Sequence, residues 1–184
     1  MVAIIDPTAR HQVGASAAAA AAPRPNSLAG LRIGLLENTK RNADGILAAL
    51  GAELAARNDV DSLVHLTKTV FAMPLPVDLV EELINECDVV VVGVGDCGSC
   101  SASAVADGIA LERMGIPTAV ICTDSFVAPS QAMAGLKGAP EFPFLQTAHP
   151  IANLSDTGVE ERGRSLAAAV EARLLGDRVP ALAS

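Results

Sequence analysis

Residues Val89–Val94 read Val-Val-Val-Val-Gly-Val, and this run constrains the fold more than any other part of the chain. β-Branched side chains are stiff at χ1 and favour extended backbone. The run does not alternate with polar residues, so both of its faces must be covered. It is also far shorter than the roughly 18 apolar residues of a membrane span. A strand covered on both faces belongs in the middle of a parallel sheet with helices above and below.

The rest of the chain supplies such a sheet. The patterns predict further strands over Leu31–Leu36, Leu63–Thr69, Pro117–Cys122 and Phe144–Thr147. Helices are predicted between and after them. Ala43–Arg57 places Ile46, Leu47, Leu50 and Leu54 on one face. Pro76–Glu86 opens on proline, with Leu79, Leu83 and Ile84 inward. Ser101–Met114 ends at Gly115, Ser125–Leu136 follows, and Thr157–Leu175 is a long Ala-rich terminal helix. Alternation of this kind implies an α/β domain of three layers. Its sheet is mostly parallel and five-stranded, flavodoxin-like or Rossmann-like. Sites in such sheets lie beyond the carboxyl ends of the strands. The loops after Leu36, Thr69, Val94, Cys122 and Thr147 are therefore where chemistry is expected.

One domain is expected over residues 31–184, behind an arm and an Ala/Pro-rich linker over 1–30. The linker breaks at Pro23-Arg24-Pro25, and residues 14–27 read as a mobile connection whose arm could dock back. The start, Met-Val-Ala-Ile-Ile-Asp-Pro, lacks the basic segment of a secretory signal. Composition narrows the partners. Aromatics are 2% of the 184 residues, with no Trp or Tyr, which leaves no stacking platform for single-stranded nucleic acid. A net charge of −8 would repel a phosphate backbone. A small-molecule substrate, no membrane and a cytoplasmic location are expected. In that reducing compartment four cysteines point to catalysis, metal or burial rather than to structural disulfides.

The strongest chemical signal is Gly95-Asp96-Cys97-Gly98-Ser99-Cys100, which runs from the most buried strand into a helix. The first N–H groups of a helix are unpaired, and its dipole favours negative charge there. Both effects favour thiolate, here at Cys97. Cys100 is three residues on, in position to resolve a mixed disulfide or a sulfenic acid. The bland alternative is two small buried side chains at a helix start. Gly93, Gly95 and Gly98 also spell G-x-G-x-x-G, but the two cysteines occupy the turn where a pyrophosphate would sit.

Other strand-end loops add polar groups. His149, fixed before Pro150, is the candidate general acid/base, or else a structural loop histidine. Asn38, Lys40 and Asn42 form a candidate clamp for a carboxylate, or else a solvated helix cap. Asp96, Gly98, Ser99, Asp124 and Ser125 complete the candidate substrate-binding set, although Asp124-Ser125 also reads as a helix cap. Cys122 ends a strand and is either a third site thiol or a packed residue. His65, within a strand, and His11, in the arm, are weaker candidates.

With these residues the chain resembles the UGSC-motif (seleno)protein family, named for selenocysteine-Gly-Ser-Cys. Cys97-Gly98-Ser99-Cys100 is the cysteine form of that motif. Asp6-Pro7-Thr8, Asn38-Thr39-Lys40, Asn42-Ala43-Asp44 and His149-Pro150 fit as well. The resemblance implies that Cys97 stands at the selenocysteine position and is a nucleophile or redox centre. It also implies that the Asp-Pro-Thr arm docks near the site. It implies no settled reaction.

Three functions compete. The first is a cysteine-dependent enzyme acting on a small polar or carboxylate-bearing molecule. It would work either by thiol-based reduction or by redox-neutral addition and elimination of the hydratase or lyase kind, without a cofactor. The second is a zinc site made by Cys97, Cys100, Cys122 and His149. The third is a non-catalytic subunit, in a homo- or hetero-oligomer with a related chain.

Overall fold

A computed structural model describes residues 21–70 and 72–177. Five strands, β1 (Arg32–Glu37), β2 (Ser62–Thr67), β3 (Val89–Gly95), β4 (Thr118–Thr123) and β5 (Leu145–Thr147), form one sheet. Their order is β2-β1-β3-β4-β5, and every pairing is parallel. The helices are α1 (Ala43–Arg57), α2 (Val77–Glu86), α3 (Gly98–Arg113), α4 (Val127–Leu136) and α5 (Asp156–Leu175). This order is that of the flavodoxin-like doubly wound fold.

β3 is buried along its whole length, as its unbroken apolar run requires. Val89 and Val91 face one core with Ile46 and Leu50 of α1 and Leu166 and Val170 of α5. Val90 and Val92 face the other core with Leu83 of α2, Val105 and Ile109 of α3 and Ala134 of α4. Each such side chain contributes about 1.5–3 kcal/mol by leaving water. Alternation fails beyond Val92, because Val92 pairs with Val120 but Gly95 pairs with Cys122. The extra residue is a β-bulge, which locally bends and twists the strand. Val94 consequently joins Val91 on the α1/α5 side.

Three expectations are revised. Residues 21–30 are not a free connection: Leu28 is fully buried, and Arg24 reaches Glu112 at 2.6 Å. The arm before them lies outside the described residues. Ile84 is 48% exposed, because α2 buries only the line through Leu79 and Leu83. α3 begins at Gly98, three residues earlier than expected, because a cysteine caps it.

Candidate functional site

In this fold the crossovers from β1 and β3 leave to opposite faces of the sheet, which opens a crevice between their carboxyl ends. Asn38, just past β1, spans it: its Nδ2 donates to the Val94 carbonyl at 3.1 Å. On the other side β3 turns directly into α3. A Cβ at Gly95 would lie 2.7 Å from Ser101 Cα and 3.0 Å from Cys122 Sγ. Only glycine lets strand and helix approach so closely.

Cys97 is the N-cap of α3. Its backbone is extended, and its Sγ accepts the Cys100 N–H at 3.2 Å. Sulfur therefore takes the place that a Ser or Asp oxygen fills in most caps. Ser99 Oγ stands 3.6 Å from the same sulfur. Burial opposes charge on Cys97. Hydrogen bonds from Cys100 and Ser99 and the charge of Lys40 outweigh it and hold the thiol below its ordinary value. Cys100 is the opposite. It is fully buried, accepts the Asp96 N–H at 3.2 Å and donates to the Cys97 carbonyl at 3.2 Å. Burial and the neighbouring Cys97 push its thiol up to about 12. An accessible thiol primed to ionise and a buried thiol kept protonated thus share one helix turn.

His149 reaches this loop from beyond β5. Its Nδ1 lies 2.8 Å from Asp96 Oδ1 and 3.3 Å from Thr123 Oγ1. Its backbone N–H donates to Asp124 Oδ1 at 3.2 Å, and Phe126 packs edge-on at 5.2 Å between ring centres. With Nδ1 engaged, Nε2 is the nitrogen left for proton exchange with a substrate. The Asp96 side chain is 8% exposed and that of His149 33%, so the carboxylate is sheltered and the imidazole open.

The other candidates sort by what they touch. Asn42 donates to the Ile151 and Leu154 carbonyls at 2.9 and 3.1 Å, so its amide nitrogen ties down the β5–α5 loop. Lys40 acts electrostatically on both site thiols. Gly98 has open space where a Cβ would be, which leaves the approach to Cys97 clear. Asp124 and Ser125 lie in an exposed turn of 3-10 helix, where Asp124 orients the His149 backbone. His65 is exposed on β2, away from the strand ends, and His11 lies outside the described residues.

Cys122 is fully buried, with Sγ 3.8 Å from the Ser101 carbonyl, and burial pushes its thiol up to about 11. It is a packed strand residue. Among the described residues no three His, Cys, Asp or Glu side chains converge to hold a metal. The zinc set of Cys97, Cys100, Cys122 and His149 is therefore not assembled: Cys122 points into the α3 core, and His149 turns Nδ1 to Asp96.

Two residues escaped the sequence reading. Lys68 follows β2 and is 2% exposed, and it pairs with Asp107 of α3. The available signal was spacing, since Asp107 lies seven residues after Cys100 and so on the same helix face.

Fold and site together define a flavodoxin-like α/β protein with a capped, accessible thiol and a buried partner thiol at the topological switch point. The chain belongs to the UGSC family, whose model matches residues 3–176. No curated protein matches it. Among solved structures it is similar to a diflavin flavoprotein A3 from Nostoc sp., at 12% identity and a TM-score of 0.42, over 80% of this chain and 93% of that one. No described helix is long and apolar enough to cross a membrane.

Proposed function

We propose that this protein is a thiol-dependent oxidoreductase acting on a small polar or carboxylate-bearing molecule with a reducible sulfur centre. The observation that carries the reading is the asymmetry of the Cys97/Cys100 pair. Cys97 Sγ is accessible and receives the Cys100 N–H at 3.2 Å, while Cys100 is fully buried. Cys97 attacks as thiolate and forms a mixed disulfide, and the substrate's first sulfur departs as a thiolate. Cys100 then displaces the second, leaving a Cys97–Cys100 disulfide, and His149 Nε2, after taking up a proton from solvent, passes it to a departing thiolate. An external thiol reductant restores the dithiol. The charge of Lys40 supports binding of an anionic head group near Cys97.

The test is mass spectrometry after reaction with a small disulfide. The expected products are a Cys97–Cys100 disulfide in the native protein, a trapped mixed disulfide in Cys100→Ser and neither in Cys97→Ser. No intramolecular disulfide in the native protein would sink the reading.

The His149–Asp96 pair favours a second reading, redox-neutral addition to, or elimination from, an activated alkene or carbonyl. Turnover without consumption of reductant would select it.

A further inference from the structure

A groove that the proposed chemistry has not used runs along the outer face of α3. Its volume is about 410 Å³, within the roughly 300–1,000 Å³ of small-molecule clefts. Ala102, Ala106 and Ala110 recur at every fourth residue and form its floor. Met73 and Leu75, before α2, form one wall, and Met133 and Leu136 of α4 form the other. Met73 is 57% exposed, Leu136 79%, and Met114 at the far end 49%. Single apolar side chains are common on a surface, but three around one trough form a patch of the kind that binds something apolar.

The near end of the groove is Ser99, whose Oγ stands 3.6 Å from Cys97 Sγ. From Ser99 to Ala110 the helix carries the floor about 16 Å away from the thiol. The Met73–Leu75 wall is tied to α3 from behind. Lys68, 2% exposed, donates to Ser103 Oγ at 2.8 Å and pairs with Asp107. Ser103 donates to the Met73 carbonyl at 3.1 Å, and the Leu75 N–H stabilises the Asp107 carboxylate. Of the charged lining residues, Asp107 is thus matched by Lys68, and Lys137 is exposed to solvent. What remains is a preformed apolar trough that begins beside the accessible sulfur.

We propose that this groove is the subsite for an apolar tail of the substrate, an assignment that rests on the oxidoreductase reading. One sulfur of the substrate disulfide carries an alkyl chain that lies along Ala102 and Ala106, and the polar head stays near Lys40. The Cys97 thiolate bonds to the chain-bearing sulfur, the substrate S–S bond breaks, and the other sulfur leaves with the electron pair and is protonated. Cys100, its proton passing to solvent, then displaces the chain-bearing sulfur as a thiolate. Two protein thiols are oxidised to one disulfide, and the substrate disulfide is reduced to two thiols.

The experiment reacts the reduced full chain with alkyl 2-pyridyl disulfides, from methyl to hexyl. Attack by Cys97 releases coloured pyridine-2-thione, and peptide mass spectrometry identifies the Cys97–Cys100 disulfide that follows. Rates are taken relative to those of 2-mercaptoethanol with the same reagents, which removes differences in intrinsic reactivity. The expected result is a rise of about 3-fold for each added methylene that the groove covers. Ala106→Phe fills the floor and Leu136→Asp puts a charge on the wall. Each should lower the hexyl-to-methyl ratio about 10-fold, the equivalent of roughly two buried methylenes. Leu136 is exposed, so its variant tests the groove even if Ala106→Phe does not fold. Equal rates along the series, with the disulfide formed, overturn the subsite alone. So does a hexyl preference that both folded variants retain. Equal rates that become a hexyl preference on dilution give the groove to a second copy of the chain instead. No Cys97–Cys100 disulfide with any reagent overturns the oxidoreductase reading, and this substrate class with it.

Discussion

His149 Nδ1 lies 2.8 Å from Asp96 Oδ1, across 53 residues of sequence. Asp96 is also the residue before Cys97, so one short loop both presents the sulfur and orients the imidazole. A carboxylate accepts only, so neutral His149 must carry its proton on Nδ1. Long-range proton–nitrogen NMR should show Nε2 unprotonated in the neutral ring, and Asp96→Ala should remove that preference. An Nε2–H tautomer in the native protein would contradict the pairing.

Cys97 should alkylate with a midpoint below that of an ordinary thiol, because hydrogen bonds and Lys40 stabilise its thiolate. Removing those contacts removes stabilisation from the charged form alone, so the midpoint must rise. Lys40→Met and Ser99→Ala should each shift it upward, and the pair together should shift it further. Iodoacetamide rates against pH, read by peptide mass spectrometry, would check the direction. A downward shift in either variant would show that the assigned contacts are wrong.

Glu112, in the last turn of α3, anchors the amino end of β4, away from the strand ends that carry the site. It accepts from Arg24 at 2.6 Å, from the Ala22 and Thr118 N–H groups at 2.8 Å and from Arg173 at 3.4 Å. Glu112→Ala would leave two arginines and two buried N–H groups short of an acceptor, at a cost of about 3–5 kcal/mol. The urea midpoint should fall accordingly with an unchanged slope. A loss below about 1 kcal/mol would mean that the cluster contributes little to stability.

Gly163 and Gly95 separate packing from chemistry. A Cβ at Gly163 would lie 2.5 Å from the Ile46 carbonyl oxygen and 2.6 Å from Ala49 Cβ, where α5 crosses α1. Alanine gains about 1 kcal/mol of helix propensity, but a clash with backbone outweighs it. Gly163→Ala should therefore lose about 1–3 kcal/mol and keep the alkylation profile of Cys97. Gly95→Ala presses on Ser101 Cα, displaces the start of α3 and should raise the Cys97 midpoint. Denaturation and alkylation measured on both variants would reveal whether the two effects are separable.

Much of the fold was legible in the sequence. The β3 run required burial on both faces, and α1 ends where its apolar pattern ends. The Cys-x-x-Cys stood out because a strand running straight into a helix leaves unpaired N–H groups at the turn. Less was legible where a side chain's partner is remote in sequence. Asn38 and Asn42 read as a ligand clamp or a helix cap, and no spacing along the chain indicated that their amide nitrogens hold the Val94, Ile151 and Leu154 carbonyls. Cys122 read equally as ligand or core residue, because strand order decides which face it takes.

The sequence by itself determined the layers, the central strand and the order of the two thiols along α3. These depend on local periodicity and on contacts within one helix turn, which spacing encodes. The tertiary structure decided which thiol meets solvent, that His149 joins Asp96, and that Lys68 lies behind Cys100 against Asp107. Those outcomes follow from strand order, the β3 bulge and the close approach at Gly95, which bring distant residues within hydrogen-bonding range. Such a bond falls off over a fraction of an ångström, and no pattern along a chain resolves distances that fine.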